Sequence, residues 1–294
     1  MKEGRENVAE FKNGYEKIGP TAWGVAYART LSDIPYAKEV FAEFEKLVNQ
    51  TEKDTDYMES ARRSRMEPFF EARFKLTNRL LKNDAAKQIL EIAAGLSPRG
   101  LAMAKTEPTL QYVELDLPEM ARLKKDIAAR LAKNGTATPP NLSFKEGDAL
   151  DKNSLLAAVH DFKNKPIAVI NEGLMRYLSF EQKARYADNV RLLLEKFGGV
   201  WITPDITISI GTGSQHSIER IREIRELADI DVGKNYFRDE RQARMFFEDL
   251  GFNVERHSLN EVKNELVSPA RIGMPEKEVD DLLTRVAFVM KLKS

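Results

Sequence analysis

The sequence predicts an α/β protein in which a largely parallel, doubly wound sheet is covered by helices on both faces and preceded by a helical section. Three observations carry this. From Lys87 onward, short apolar runs alternate with stretches of helical period, as in chains of β-α-β crossovers. Before that point, residues 35–50 and 58–82 place apolar side chains three and four apart, as amphipathic helices do, without a good strand signal. The 294 residues can bury a large core and suffice for one such domain with additions.

Taken in order, the apolar runs are QILEIA, TLQYVELD, LSFKEGD, PIAVINEG and GGVWITPDI, five candidate strands. Helical period fills residues 98–105, 118–133, 151–160 and 179–197, the last opening on Ser179 and Glu181 as cap residues. After Asp205 come a Gly/Ser loop (SIGTGSQHS), a charged helix (IERIREIRELADI), a helix over 239–250, a strand over 251–258 and a final strand, TRVAFVMKLK.

Lys+Arg and Asp+Glu both number 46, and no long block of one sign is present, so a nucleic-acid partner is not expected. The absence of cysteine excludes disulfides, thiolate nucleophiles and cysteine metal sites. Three scattered histidines form no ligand spacing, and no metal is expected. Met1–Lys17 is charged, and no window reaches the ~20 apolar residues that span a bilayer. A cytoplasmic protein without a membrane partner is the expectation, and a homodimer is compatible with it.

Doubly wound sheets bind ligands at the carboxyl ends of their strands, near the point where strand order reverses. The first strand ends in Glu91-Ile92-Ala93-Ala94-Gly95-Leu96-Ser97-Pro98-Arg99-Gly100, a tight turn into a helix. Gly95 lets the backbone approach a ligand closely, and the helix offers its first amides; an ordinary βα turn would look the same. The dinucleotide spacing G-x-G-x-x-G is missing. Asp116 ends the second strand twenty-one residues after Gly95, where a carboxylate can accept both ribose hydroxyls, and it shares a strand face with Glu114. Pro118 makes a turn or cap role for Asp116 the alternative. Asp148 ends the third strand and can accept from an adenine amino group or cap a helix. Glu172 follows the buried run of the fourth strand and would be costly to leave unpaired, a ligand ammonium being one partner.

The order ILEIAAGLSPRG, YVELDLPEM, EGDALD, NEGLMRYLSFEQ resembles the leucine carboxyl methyltransferase family, which includes bacterial small-molecule O-methyltransferases. The match extends loosely from about Pro20 to the C-terminus. The resemblance implies a Rossmann-like class I methyltransferase sheet with an antiparallel last strand, binding S-adenosylmethionine. It places Gly95, with Glu91 and Ala93, at the cofactor, Asp116 and Leu117 at its ribose, Asp148 and Ala149 at its adenine, and Glu172 and Gly173 near its methionine moiety. Arg73, in the helix before the first strand, would bind the methionine carboxylate, which suits a bidentate guanidinium. The family turn usually reads Gly-Ala-Gly-Leu-Asp-Thr-Arg; Ala93, Ser97 and Pro98 depart from it, so the roles of the usual Asp and Thr do not carry over.

The resemblance also divides one domain over 1–294 into a helical cap (1–82), a cofactor-binding core (83–206), a helical lid insertion (207–238) and the rest of the core (239–294). Its activity would be O-methylation of a small-molecule carboxylate or phenol. The alternatives are methylation of a protein C-terminal carboxylate, as the family name suggests, and a catalytically silent cofactor-binding or interaction module. A carboxylate needs no base, whereas a phenol does, and the candidates are His216, Asp205, His160 and His257. Arg176, Tyr177 and Arg29 could orient an acceptor carboxylate. The aromatics Trp23, Tyr27, Tyr36, Phe41, Phe44 and Trp201 could line an apolar acceptor pocket or simply pack the core.

Overall fold

The computed structural model describes residues 22–47, 59, 65–84, 86–208 and 232–293. Residues 22–30 form α1, followed by α2 (Ala37–Leu47) and α3 (Glu67–Asn83). The alternating part runs β1 (Gln88–Ile92), α4 (Arg99–Thr106), β2 (Gln111–Asp116), α5 (Pro118–Lys133), β3 (Leu142–Glu146), α6 (Lys152–Ala158), β4 (Ile167–Asn171), a 3-10 turn (Met175–Tyr177), α7 (Phe180–Phe197) and β5 (Gly199–Thr203). After a second 3-10 turn (Val232–Asn235) come α8 (Glu240–Asp249), β6 (Phe252–Ser258), a 3-10 stretch (Leu259–Glu265), α9 (Ser268–Arg271), α10 (Glu276–Leu282) and β7 (Val286–Leu292). The Gly/Ser loop, the charged helix of the insertion and His216 lie outside the described residues.

The sheet has the order β3-β2-β1-β4-β5-β7-β6. β1 to β5 are mutually parallel, whereas β7 is antiparallel to both β5 and β6. Strand order reverses between β1 and β4, so the crevice above their carboxyl ends is where a ligand fits. The strands read as continuous apolar runs because both faces are covered. Ile89, Tyr112, Ala168 and Ile202 join one core with Leu76 and Leu80 of α3 and Leu123 and Ile127 of α5. Leu90, Val113, Val169 and Trp201 join the other with Tyr186, Val190 and Leu193 of α7 and Phe247 of α8.

The helix before the alternating part is built into the sheet: α3 packs against β5 and β7, and α2 packs against α5. The tightest neighbour of α3 is the 3-10 stretch Leu259–Glu265, one of three short elements in 259–282 that carry no signal in the sequence. Two turns or fewer leave too little periodicity to register. The aromatics proposed for an acceptor pocket pack the core instead. Trp23 stacks on Tyr27 at 5.1 Å and meets Phe41 edge-on, while buried Trp201 donates its indole N–H to Asn171 Oδ1 at 2.7 Å. Among the described residues, no helix is long and apolar enough to cross a membrane, and no cluster of side chains could hold a metal ion.

Candidate functional site

The turn after β1 is shaped by two residues in the left-handed region, Ala93 (φ +54°) and Gly95 (φ +53°). For glycine this conformation is free, but for Ala93 it is a strain of roughly 1–2 kcal/mol. The strain persists because the turn is pinned. The Gly95 amide donates to Asp116 Oδ2 at 2.7 Å, the Leu117 amide donates to Asp116 Oδ1 at 2.8 Å, and Ser97 N donates to Ala94 O at 3.0 Å. Pro98 occupies the N-cap position of α4, and Ser97 Oγ accepts from Arg99 N at 3.3 Å, so these two of the three departures from the family turn serve the helix start. Asp116 thus fills the turn role as well as lining the crevice, and Pro118 begins α5 as expected. Burial pushes its carboxyl up to about 6, against the opposing pull of the two amides and Lys124.

Glu172, just past β4, is the hub of a buried ionic network. Arg29 Nη2 donates to its Oε1 at 2.7 Å, Arg99 Nη2 donates to its Oε2 at 2.8 Å, and Arg73 Nη2 stands 3.5 Å from Oε1. Arg99 also pairs with Glu91, which accepts from Tyr112 Oη at 2.6 Å. Burial alone would raise Glu172, but the three arginines outweigh it and hold its carboxyl at about 2. The protein itself therefore supplies the cations that a ligand ammonium was expected to supply. Arg29 is paired with Glu172 through Nη2, but its Nε is buried without a hydrogen-bond partner. Arg73 Nε is likewise buried without a hydrogen-bond partner, and its guanidinium also faces the buried Asp205. Such a group fits a ligand carboxylate.

A cavity of about 370 Å³ opens over these residues. Arg29, Arg73, Glu91, Ala93, Gly95, Asp116, Leu117, Asp148, Ala149, Glu172, Gly173, Arg176 and Tyr177 all line it, so the structure brings together the cofactor-binding candidates with the arginines and the tyrosine considered for the acceptor. Asp148 does not cap a helix: it accepts from Leu150 N at 2.8 Å, and Asp151 caps α6. Of the other candidate bases, Asp205 accepts from the Met175 amide at 2.5 Å. His160 is exposed beside Asp161, and His257 lies on edge strand β6 between Glu255 and Glu261. None of these three lines the cavity.

Sequence reasoning missed Arg99 and Lys124. Arg99 stands at the position of the family turn's arginine, which was the available signal. Lys124 carries none.

The strand order, the glycine turn after β1 and the acid after β2 define an α/β protein of the class I methyltransferase type. The leucine carboxyl methyltransferase family model matches residues 22–191, more than half of the chain. The chain belongs to that family of S-adenosylmethionine-dependent methyltransferases. No curated protein sequence matches it. Among solved structures, PigF with SAH is similar at 12% identity over 70% of this chain and 50% of that one, with a TM-score of 0.45. An O-methyltransferase family protein from Burkholderia thailandensis is similar at 12% identity over 71% and 52%, with a TM-score of 0.44. Haemonchus contortus phosphoethanolamine N-methyltransferase 2 in complex with S-adenosyl-L-methionine is similar at 13% identity over 74% and 52%, with a TM-score of 0.48. The chain spans about half the length of these structures.

Proposed function

We propose that the protein methylates an oxygen of a small-molecule carboxylate. The observation that carries this is the set of arginines lining the cavity, Arg29, Arg73 and Arg176, each with a buried Nε that has no hydrogen-bond partner, with no histidine lining it among the described residues. Arg176 Nη2 donates to Tyr236 Oη at 2.9 Å, which leaves Arg176 Nε buried without a partner. Arg285, just before β7, has its guanidinium 5.7 Å from the Phe69 ring, and Arg73 stands 5.3 Å from the same ring. Burial and then the charge of Arg176 lower the Arg285 pKa, with Tyr236 opposing and Arg73 adding to the fall. Because β7 runs antiparallel to β5, its first residues lie at the carboxyl edge of the sheet, beyond β4 and β5. An acidic acceptor entering there is oriented by Arg176 and Tyr177.

The cofactor's methionine carboxylate falls to Arg73, its ribose to Asp116, and its adenine to Asp148 and Ala149 with Leu117 alongside. Gly95 and Gly173 give close backbone approach, and Glu91 and Glu172 hold the arginines in place. The bound cofactor supplies an electrophilic methyl carbon on a sulfonium. The protein's part is alignment and exclusion of water, since in-line displacement depends on both. An ionised carboxylate attacks without losing a proton, which suits a cavity that no histidine lines among the described residues; a phenol would need a base.

A matched panel of aromatic and aliphatic carboxylic acids, phenols and C-terminal peptides tests this with labelled S-adenosylmethionine. Methyl ester formation, with kcat/KM level between pH 7 and 9, is expected. Turnover of phenols alone, with a basic limb in the profile, would overturn the carboxylate reading. Turnover confined to peptide C-termini would replace the small molecule by a protein.

A further inference from the structure

Lys124 lies on α5, outside the cavity, and is buried. Its ammonium donates to Ser97 O at 2.5 Å, to Glu114 Oε2 at 2.7 Å and to Gly95 O at 3.2 Å. All three N–H bonds are therefore spent, two of them on carbonyls of the turn after β1. A buried lysine is expensive, and a core position on α5 would be filled more cheaply by leucine. Its partner Glu114 fills the space beside Gly100 so closely that no Cβ could be added there. Gly95 is thus held on both sides: Asp116 takes its N–H, and Lys124 takes its C=O.

We propose that Lys124 is a positioning residue for the cofactor, fixing the Gly95 peptide and, through it, the Asp116 carboxylate that receives the ribose. This rests on the reading that the turn and Asp116 bind S-adenosylmethionine. Lys124 acts in two ways. Its hydrogen bonds set the direction of the Gly95 carbonyl, and hence of the amides that follow. Its charge favours the ionised form of Asp116, against the opposing charge of Glu91, while the Gly95 and Leu117 amides help. Glu114, itself buried and raised to about 7, is the counter-ion that makes a lysine tolerable there.

The test measures S-adenosylhomocysteine affinity by calorimetry from pH 5 to 8, alongside thermal unfolding, for wild type, Glu114→Gln, Lys124→Met and Glu114→Gln/Lys124→Met. The double variant keeps the test valid if Lys124→Met alone unfolds, because it leaves no unpaired buried carboxylate. The expected result is affinity about tenfold weaker for the double variant than for Glu114→Gln, the size of a lost charge-assisted hydrogen bond. The acid limb of binding should also move to higher pH, which a purely structural lysine would not cause. Folded Lys124 variants with unaltered affinity and an unmoved limb would overturn the inference. Failure of wild type itself to bind would instead remove the cofactor reading on which it rests.

Discussion

At the scale of single residues, the site is a set of charges whose protonation the fold has shifted. Asp116 ionises only above about 6 in the free protein, and burial is the main cause. If its ionised form receives the ribose, S-adenosylhomocysteine affinity should fall about tenfold per pH unit below that value. Stability moves the other way, because a carboxyl raised from 3.8 contributes fully below that value and loses its contribution as pH rises through about 6. Titrations of ligand affinity and of denaturant midpoint across pH 4 to 8 check both signs. Glu172 is the opposite case: held at about 2, it contributes stability above its ordinary range, and that contribution is lost as pH falls toward 2. Glu172→Gln should cost about 3–5 kcal/mol by urea unfolding, since three arginines would lose their shared anion. Ala93→Gly should cost nothing and could add up to about 1 kcal/mol, because glycine removes the left-handed strain at φ +54°. A clear loss of stability in that variant would mean that the turn does not hold Ala93 as described. Much of this scale was legible. Gly95, Asp116 and Glu172 sit at strand ends, where the fold class directs attention. Their protein partners did not show, because Arg29 meets Glu172 across 143 positions of sequence and no local pattern encodes such a pairing.

Among elements, legibility followed length and capping. Helix α5 matches the expected span of 118–133, with Pro118 in its first turn. Helix α7 was foreseen from Ser179, but its capping box is completed by Gln182 and not Glu181, since the N3 position is the one that reaches back to the cap amide. Ser179→Ala should lower stability by about 1 kcal/mol, measurable by thermal unfolding, without altering cofactor affinity. The helix has a functional neighbour in the turn Met175–Tyr177, which Asp205 ties to the end of β5 through the Met175 amide. Arg176 and Tyr177 are carried on that turn, so under the proposed function its fixation would decide how an acceptor is met. The short elements between β6 and β7 escaped the sequence reading, yet they pack against α3 and so support the helix that carries Arg73.

For the whole molecule, the decisive feature is the reversal of strand order between β1 and β4. It sets the Gly95 turn and Glu172 on either side of one crevice, while α1 and α3 bring Arg29 and Arg73 across from the helical section that precedes the sheet. Parallel strands buried on both faces announced themselves as apolar runs; the arrangement of the chain over their carboxyl ends could be inferred only from the fold class. The central claim is that this crevice holds S-adenosylmethionine through Arg73 and Asp116. Calorimetric titration with S-adenosylhomocysteine, with NAD as the control that shares its adenosine half, tests it most directly. Binding in the micromolar range by wild type, none of NAD, and a loss of about tenfold or more in both Arg73→Ala and Asp116→Ala are predicted. Wild-type affinity in both variants, or no binding of S-adenosylhomocysteine at all, would contradict the account.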